Sequence, residues 1–224
     1  MNPRKRELKI MNELEQRAFC FDIRAEETEN GNIITGRPIV YNSRTDLGYF
    51  DEMIAVGALN NADLTDVRFL VNHDISKIPL ARSRRNNGNS TMHLTVDSMG
   101  MGIRVTLDTE NNADARSLYS AVKRGDISGM SFMFSVDGEE WTDLESEHPT
   151  RTITSIGTVV EVSAVTFPAY DATEINARSK DALDSARAAL DKVKQQRATA
   201  VDTAEEIDLL KAKFEFKSKF GGNF

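Results

Sequence analysis

The chain has 224 residues, 40% of them hydrophobic and 28% charged, which is typical of a globular protein and excludes a fibrous or disordered one. Residues 1–178 carry 19 Lys and Arg against 27 Asp and Glu, a net charge of −8 that argues against binding of a nucleic-acid backbone. No apolar run approaches the roughly 20 residues of a membrane span, and the first residues lack the apolar core of a signal peptide. The single cysteine, Cys20, can form no internal disulfide. We therefore expect synthesis in a reducing cytoplasm, with neither a membrane nor a nucleic acid as partner.

Three regions follow one another along the chain. We predict a short, basic and flexible leader over residues 1–13, a mostly β domain over 14–178 and a helical tail over 179–224. In the β domain, short runs rich in Val, Ile, Thr and Phe alternate with clusters of Gly, Asn and Asp, and their spacing predicts a small antiparallel barrel or sandwich. The predicted strands are IITGRPIVY, VRFLVN, TMHLTV, GIRVTL, SFMFSV and TITSIGTVVEVSAVTF.

One helix interrupts the predicted strands, in the stretch NNADARSLYSAVKRG. Asn and Asp residues precede its apolar face, and Gly125 follows it, where a left-handed C-terminal cap is expected. Four apolar residues recur at helical spacing and form that face: Ala115, Leu118, Tyr119 and Val122.

Residues that favour strands become scarce in the tail, and apolar residues recur there at helical spacing. We predict two amphipathic helices with little core of their own, which serve as a docking or coiled-coil element. Thr203 and Glu206 form a capping box at the start of the second helix. The apolar positions are Leu183, Ala186, Leu190 and Val193 in the first helix and Ile207, Leu210 and Phe214 in the second.

Glu161 breaks the pattern of the last predicted strand. It lies within GTVVEVSAVTF, an almost uninterrupted apolar run that is typical of a strand buried on both faces, and it shares one face with Ser163. A carboxylate buried there is costly unless a partner or several hydrogen bonds compensate it. A structural ion pair and a functional site would both meet this requirement, so the sequence leaves the two open.

His73 is the histidine with the most suggestive position. It ends the predicted strand VRFLVNHD, on the face of Val67 and Phe69, where it could be either a rim residue or a general base. His93 lies in the middle of TMHLTV, and His148 lies in the polar loop ESEHPT, where simple exposure is expected.

Ser131 begins the predicted strand SFMFSV. Alternation directs Phe132 and Phe134 toward the core and Ser131 away from it, where a serine is by default solvated. Ser128, in the preceding turn, is a rival nucleophile. A serine, a histidine and a carboxylate are the parts of nucleophilic acyl transfer, because the hydroxyl needs an imidazole to take its proton and the imidazole needs a third group to orient it. No sequence rule brings these residues into contact.

The order of several segments resembles the caudate-phage prohead proteases over roughly residues 14–178. The most specific segments are NHD, GMSF and EVSAVTFPAY. The resemblance implies a fold similar to that of the herpesvirus assemblin proteases, a small β-barrel ringed by helices. The other matching segments are IITGRPIVYNS, YFDEMIAVGAL, HLTVDSMGMGIRVTL and AVKRGDISGMSFMF.

The resemblance also implies roles for individual residues. Ser131 of GMSF would be the nucleophile, His73 of NHD the general base and Glu161 of EVSAVT the orienting third member. Ser131 is favoured over Ser128 because the serine of the family directly precedes the aromatic residue. The chain departs from the family at Met133, where glycine is usual and a larger side chain would narrow the cleft beside the nucleophile.

The implied reaction is peptide-bond hydrolysis through an acyl-enzyme, with no metal or cofactor. The implied substrates are the scaffolding segment (delta domain) of the major capsid protein precursor and the protease itself, with self-cleavage near RATAVDT and a homo-oligomeric state. The enzyme would be made in the host cytoplasm and packaged inside the prohead.

Three other interpretations compete with this one. A non-enzymatic scaffold or assembly protein of the same fold is the first. A metal-dependent hydrolase that uses His73, Asp74, His93 and Glu161 is the second, weakened by the lack of a compact His/Glu spacing. An oligonucleotide-binding barrel is the third, weakened by the acidic charge of the β domain.

Overall fold

The computed structural model of the protein describes residues 14–19, 23–29, 31–166 and 187–199, together with 184, 203, 207 and 211. The chain divides into two compact units, residues 1–185 and 186–224. The boundaries that we predicted at residues 13 and 178 lie outside the described residues, as does most of the predicted tail. No helix in the described part of the chain is both long and apolar enough to cross a membrane.

The described part of the first unit is mostly β, as predicted, and it contains one helix. In the second unit, residues 187–199 form a helix, α2. The elements of the first unit are β1 (Leu14–Phe19), β2 (Ile23–Thr28), β3 (Gly31–Val40), β4 (Thr45–Asp46), β5 (Asp51–Ile54), β6 (Asp66–Val71), β7 (Ala81–Arg84), β8 (Met92–Asp97), β9 (Gly100–Leu107), α1 (Ala113–Arg124), β10 (Gly129–Thr142) and β11 (Thr150–Val165).

The strands pair into two sheets. The first has the order β1-β10-β11-β5-β4, with β6 paired to β11 and β7, and the second has the order β2-β3-β9-β8. Over the described residues this pairing does not close into a barrel, and no ring of helices surrounds it, so these parts of the predicted fold are not confirmed.

The prediction of a purely antiparallel sheet is wrong for the first sheet. β11 runs parallel to β5 along residues 150–153 and parallel to β6 along residues 161–164. β11 is 16 residues long, so two shorter strands share one of its edges. The pattern of apolar and polar residues within a strand does not depend on which distant strand pairs with it. The sequence therefore did not indicate the parallel pairing.

Helix α1 forms where the sequence predicts it. The side chain of Asn112 accepts hydrogen bonds from the main-chain N–H groups of Asp114 and Ala115, and Gly125 ends the helix with a left-handed φ of 81°. Its apolar face packs into a core that both sheets share. The buried residues of that face are Ala115, Leu118, Tyr119 and Val122.

A cluster of charged side chains joins β1 to β5, β10 and β11 in the first sheet. Arg17 donates to both carboxylate oxygens of Glu52 at 2.5 and 2.8 Å, and Arg151 donates to Glu52 at 2.9 Å and to Glu15 at 2.6 Å. Arg17, Glu52 and Arg151 are buried. Burial acts to raise the pKa of Glu15, but the hydrogen bond from Arg151 and the charge of Arg17 hold that pKa below its ordinary value. We call these residues, with Glu139, the ion cluster.

Replacing Glu52 with Ala is expected to lower the free energy of unfolding by about 3 kcal/mol, because it removes three buried hydrogen bonds from two guanidinium groups. The measurement is urea denaturation followed by circular dichroism. The control is Arg37→Ala, which breaks a pair with Asp97 at the surface and is expected to have a much smaller effect. Equal losses in the two variants would show that the ion cluster stabilises no more than a surface pair.

Candidate active site

Three side chains from distant parts of the chain meet at the first sheet. The Nε2 atom of His73 lies 2.5 Å from Ser131 Oγ, and its Nδ1 atom lies 2.5 Å from Glu161 Oε1. Ser131 and Glu161 are each 1% exposed, and the side chain of His73 is 17% exposed. The structure therefore brings together the three residues that the resemblance named.

The pairing of strands explains why Ser131 and Glu161 are neighbours. β10 and β11 are antiparallel, with Ser131 opposite Ser163 and Met133 opposite Glu161. β6 lies on the other side of β11, where Ala164 is opposite Val71. The chain leaves β6 beside Ala164, three residues along β11 from Glu161, so the turn after β6 has to bring His73 back toward Glu161.

A left-handed turn directs the imidazole of His73. β6 ends at Val71, and Asn72 and His73 have φ values of 52° and 58°. Such values are uncommon outside glycine and persist where neighbouring contacts hold them. Asn72 Nδ2 donates to Thr166 Oγ1 at 3.1 Å, and the N–H of Thr166 donates to Asn72 Oδ1 at 3.0 Å. The prediction that His73 continues the strand face of Val67 and Phe69 is wrong, because the turn begins before it.

Ser163 joins the carboxylate to the histidine backbone. Its buried hydroxyl donates to Glu161 Oε2 at 2.6 Å and accepts from the N–H of His73 at 3.0 Å. The sequence placed Ser163 on the same face as Glu161 but gave no reason to assign it a role. Its contacts depend on the turn at His73, and the alternation of side chains along a strand does not predict that turn.

The neighbours of the two ring nitrogens of His73 indicate which nitrogen carries the proton. His73 Nδ1 faces a carboxylate oxygen, so we assign the ring proton to Nδ1, which leaves a lone pair on Nε2 directed at Ser131 Oγ. In this tautomer the imidazole can accept the proton of Ser131. The hydroxyl has a second neighbour, the main-chain oxygen of Arg17, at 2.8 Å.

A family of known proteins resembles this chain over most of its length. The family model described as caudovirus prohead serine protease matches residues 19–186. The chain belongs to the caudovirus prohead serine protease family. No curated protein matches the chain. A solved structure that matches is the capsid assembly protease of bacteriophage T4, with 12% identity, a TM-score of 0.36 and coverage of 67% of this chain and 98% of that chain. That overlap is too low to establish a shared fold, and the assignment rests on the family model.

The contact with His73 distinguishes Ser131 from the rival serine of this prohead protease family member. Ser128 is exposed in the turn between α1 and β10, whereas the hydroxyl that contacts His73 Nε2 is that of Ser131. Met133, two residues further along β10, is half-buried and pairs with Gln16 of β1 and with Glu161. Its expected effect on the cleft stays a prediction.

The metal-dependent interpretation finds no matching ligand group in the described part of the chain. There, one group has the geometry to hold a cation: Asp46, Asp51 and His148, whose ligand atoms lie within 4.8 Å of one another. Asp51 already accepts hydrogen bonds from Arg44. The residues of that interpretation, namely His73, Asp74, His93 and Glu161, do not belong to this group.

Proposed function

We propose that the protein is a serine endopeptidase of capsid maturation, with Ser131 as nucleophile, His73 as general base and Glu161 as the residue that orients His73. The observation that carries this proposal is the imidazole of His73, which bridges Ser131 Oγ and Glu161 Oε1 at 2.5 Å on each side. This arrangement is the one that activates a hydroxyl for acyl transfer. Membership of a serine protease family supports the same reaction class.

Acylation begins when Ser131 Oγ attacks the carbonyl carbon of the scissile peptide bond and its proton passes to His73 Nε2. The resulting imidazolium is stabilised by Glu161, whose Oε1 accepts from Nδ1–H. His73 then gives its Nε2 proton to the leaving amine as the C–N bond breaks, which leaves an acyl-enzyme on Ser131.

Deacylation repeats these proton transfers with water. His73 Nε2 takes a proton from a water molecule that attacks the acyl carbon, and it returns that proton to Ser131 Oγ as the C–O bond breaks. Every transfer uses a group of the protein or water, so the proposed mechanism calls for no metal or cofactor.

The proposed substrates are the scaffolding segment of the major capsid protein precursor and the protease itself, cut inside the prohead in the host cytoplasm. The name of the matching family refers to the prohead, and the T4 protein is described as a capsid assembly protease. Self-cleavage near RATAVDT would remove part of the tail, and subunits of a homo-oligomer would cut one another.

Co-expression with the capsid protein precursor of the same phage tests the function. The wild-type chain and a Ser131→Ala chain are each expressed with the precursor, and the intact masses of both proteins are measured. We expect wild-type protein to yield a shortened capsid protein and a shortened protease, and the variant to yield neither. If the capsid protein and the protease have the same masses whether the wild-type or the Ser131→Ala chain is expressed, a non-enzymatic assembly role is favoured.

Replacing Ser163 with Ala is expected to lower kcat by about 10-fold to 100-fold, because one hydrogen bond to a charged group contributes about 1.5–3 kcal/mol. Its loss frees Glu161 Oε2 and the N–H of His73, so both partners of the imidazole become less well positioned. The control is Ser135→Ala on β10, whose hydroxyl contacts the N–H of Thr158 instead. We expect Ser163→Thr, which keeps a hydroxyl, to recover kcat, and KM to stay unchanged in all variants. This result would show that Ser163 positions the catalytic residues and that Ser163→Ala does not act by unfolding the protein.

A further inference from the structure

The strands β6 and β7 carry a basic surface on a domain whose net charge is negative. Arg82 donates to both oxygens of Asp66 at 2.5 and 2.7 Å, and Arg68 donates to Asp66 Oδ2 at 3.1 Å. The hydrogen bond from Arg82 is the main reason that the pKa of Asp66 lies below its ordinary value, and neighbouring arginine charges act in the same direction. The basic surface consists of Arg68, Arg82, Arg84 and Arg85 with Asp63 and Asp66, a net charge of +2.

A left-handed turn after β7 holds two arginines of the basic surface toward solvent. Arg85 and Asn86 have φ values of 56° and 50°, which persist where neighbouring contacts hold them. The side chain of Asn86 supplies such contacts, because its Nδ2 donates to the main-chain oxygen of Leu94 at 2.8 Å and its Oδ1 accepts from the N–H of Leu94 at 2.9 Å. The exposed side chains of Arg84 and Arg85 therefore extend from a fixed backbone.

Two grooves open beside this turn and share Thr65 and Arg85. The first, of about 340 Å³, is lined by charged and polar residues, namely Thr65, Asp66, Arg82, Arg84, Arg85 and Asn87. The second, of about 380 Å³, adds apolar residues and is lined by Leu64, Thr65, Arg85, Asn86, Leu94 and Val96. Together the grooves fit a segment in which acidic and apolar side chains lie side by side.

The hairpin between β10 and β11 ends in a segment of this kind. Residues 140–147 include four acidic residues and neither Lys nor Arg. The segment has a formed turn, in which the N–H of Ser146 donates to the main-chain oxygen of Asp143 at 2.8 Å. Leu144 follows Asp143 and precedes another acidic residue. We call this segment the acidic end, with the residues Glu140, Asp143, Leu144, Glu145 and Glu147.

The basic surface and the acidic end cannot meet within one chain. Asp63 of the basic surface bridges to Thr158 of β11, whereas the turn of the acidic end lies beyond Thr150 at the other end of that strand. The eight residues from Thr150 to Thr158 correspond to about 25 Å of strand. Contact between these two surfaces therefore requires a second molecule.

We propose that the acidic end of one copy of this chain docks on the basic surface of a second copy. Opposite charges across such a contact speed the encounter and fix its register. Because the two surfaces differ, each copy can hold one neighbour at its basic surface and another at its acidic end. The inference names surfaces for the proposed homo-oligomer. It does not depend on peptide cleavage, since neither surface includes a residue of the proposed catalytic triad.

Reversal of charge on each surface tests the inference. All proteins are full chains with Ser131→Ala, so that self-cleavage cannot change their mass. One variant adds Arg84→Glu and Arg85→Glu, and the other adds Glu140→Lys and Glu147→Lys. Sedimentation velocity over a range of concentrations in 0.1 M salt gives the association constant of each protein, and circular dichroism checks folding.

We expect the parent chain to self-associate and each variant alone to associate at least about tenfold more weakly, because like charges then face each other. Mixing the two variants should restore association, since the intact acidic end of one meets the intact basic surface of the other. In 1 M salt the association of the parent should weaken, because screening acts over about 3 Å instead of about 10 Å.

The matched control is Lys77→Glu with Lys123→Glu, which changes the net charge by the same amount as the arginine variant. Both lysines are exposed and lie outside the two surfaces, and we expect this protein to associate like the parent. If a reversal unfolds the chain, Arg84→Gln with Arg85→Gln gives the same comparison. The inference is overturned if the parent is monomeric at every concentration, or if folded variants associate as tightly as the parent. Either result leaves the proposed catalytic function standing.

Discussion

Replacing Ser131 with Ala is expected to abolish cleavage while leaving the fold intact. Loss of the nucleophile in a serine protease lowers kcat by about 10⁶-fold, and a loss of at least about 10⁴-fold is expected here. The hydroxyl of Ser131 is the one that His73 Nε2 contacts, and alanine fills the same buried position with one atom fewer. The measurement is kcat of the purified protein on a peptide that spans the capsid-precursor cleavage site, with thermal unfolding as the test of folding.

Ser128→Ala is the matched control for the nucleophile. Ser128 is an exposed turn residue three positions earlier, so its substitution is expected to change kcat and stability little. The assignment would be reversed if Ser128→Ala lost activity and Ser131→Ala kept it.

Replacing Glu161 with Gln is expected to lower kcat by about 10³–10⁴-fold with little change in KM. The two oxygens of Glu161 accept from two donors, His73 Nδ1–H at 2.5 Å and the Ser163 hydroxyl at 2.6 Å. A glutamine amide has one acceptor and one donor group, so it cannot match both partners as they stand. It also removes the negative charge that stabilises the imidazolium formed during acylation. Steady-state kinetics across pH give kcat and KM separately.

Glu139→Gln makes the same chemical change outside the site. Glu139 is a partly exposed residue of β10 that accepts from Arg151 in the ion cluster. Its substitution is expected to alter stability and to leave kcat unchanged. If the two glutamine variants have similar kcat values, Glu161 does not orient His73.

Local features of the fold could be predicted from the sequence. The apolar face of α1, its Gly125 end and six of the strands follow from spacing and turn residues, which are properties of neighbouring positions. Five strands were not predicted, namely β1, β2, β4, β5 and β7. The open pairing of the sheets and the parallel contacts of β11 could not be predicted, because they join segments far apart in the chain. The ion cluster was missed for the same reason, since Arg17, Glu52 and Arg151 come from three distant strands.

The site was predictable in part. Burial of Glu161 follows from its apolar run, and family resemblance linked it to His73 and Ser131. Alternation suggested a solvated Ser131, but the residue is buried, because His73 and the main chain of β1 contact its side chain. The role of Ser163 depends on the left-handed turn at His73, and a single pair of residues with positive φ leaves no periodic signal.

The position of β11 at the end of the described domain has a consequence for synthesis. A growing chain that ends before residue 150 already contains Ser131 and His73, but it lacks Glu161, Ser163 and the strand that lies between β6 and β10. The contact between His73 and Glu161 spans 88 residues, and contacts of such long sequence separation are slow to form. The proposed site therefore stays unassembled until almost the whole described domain has left the ribosome, so an unfinished chain lacks the contacts on which the proposed activity depends.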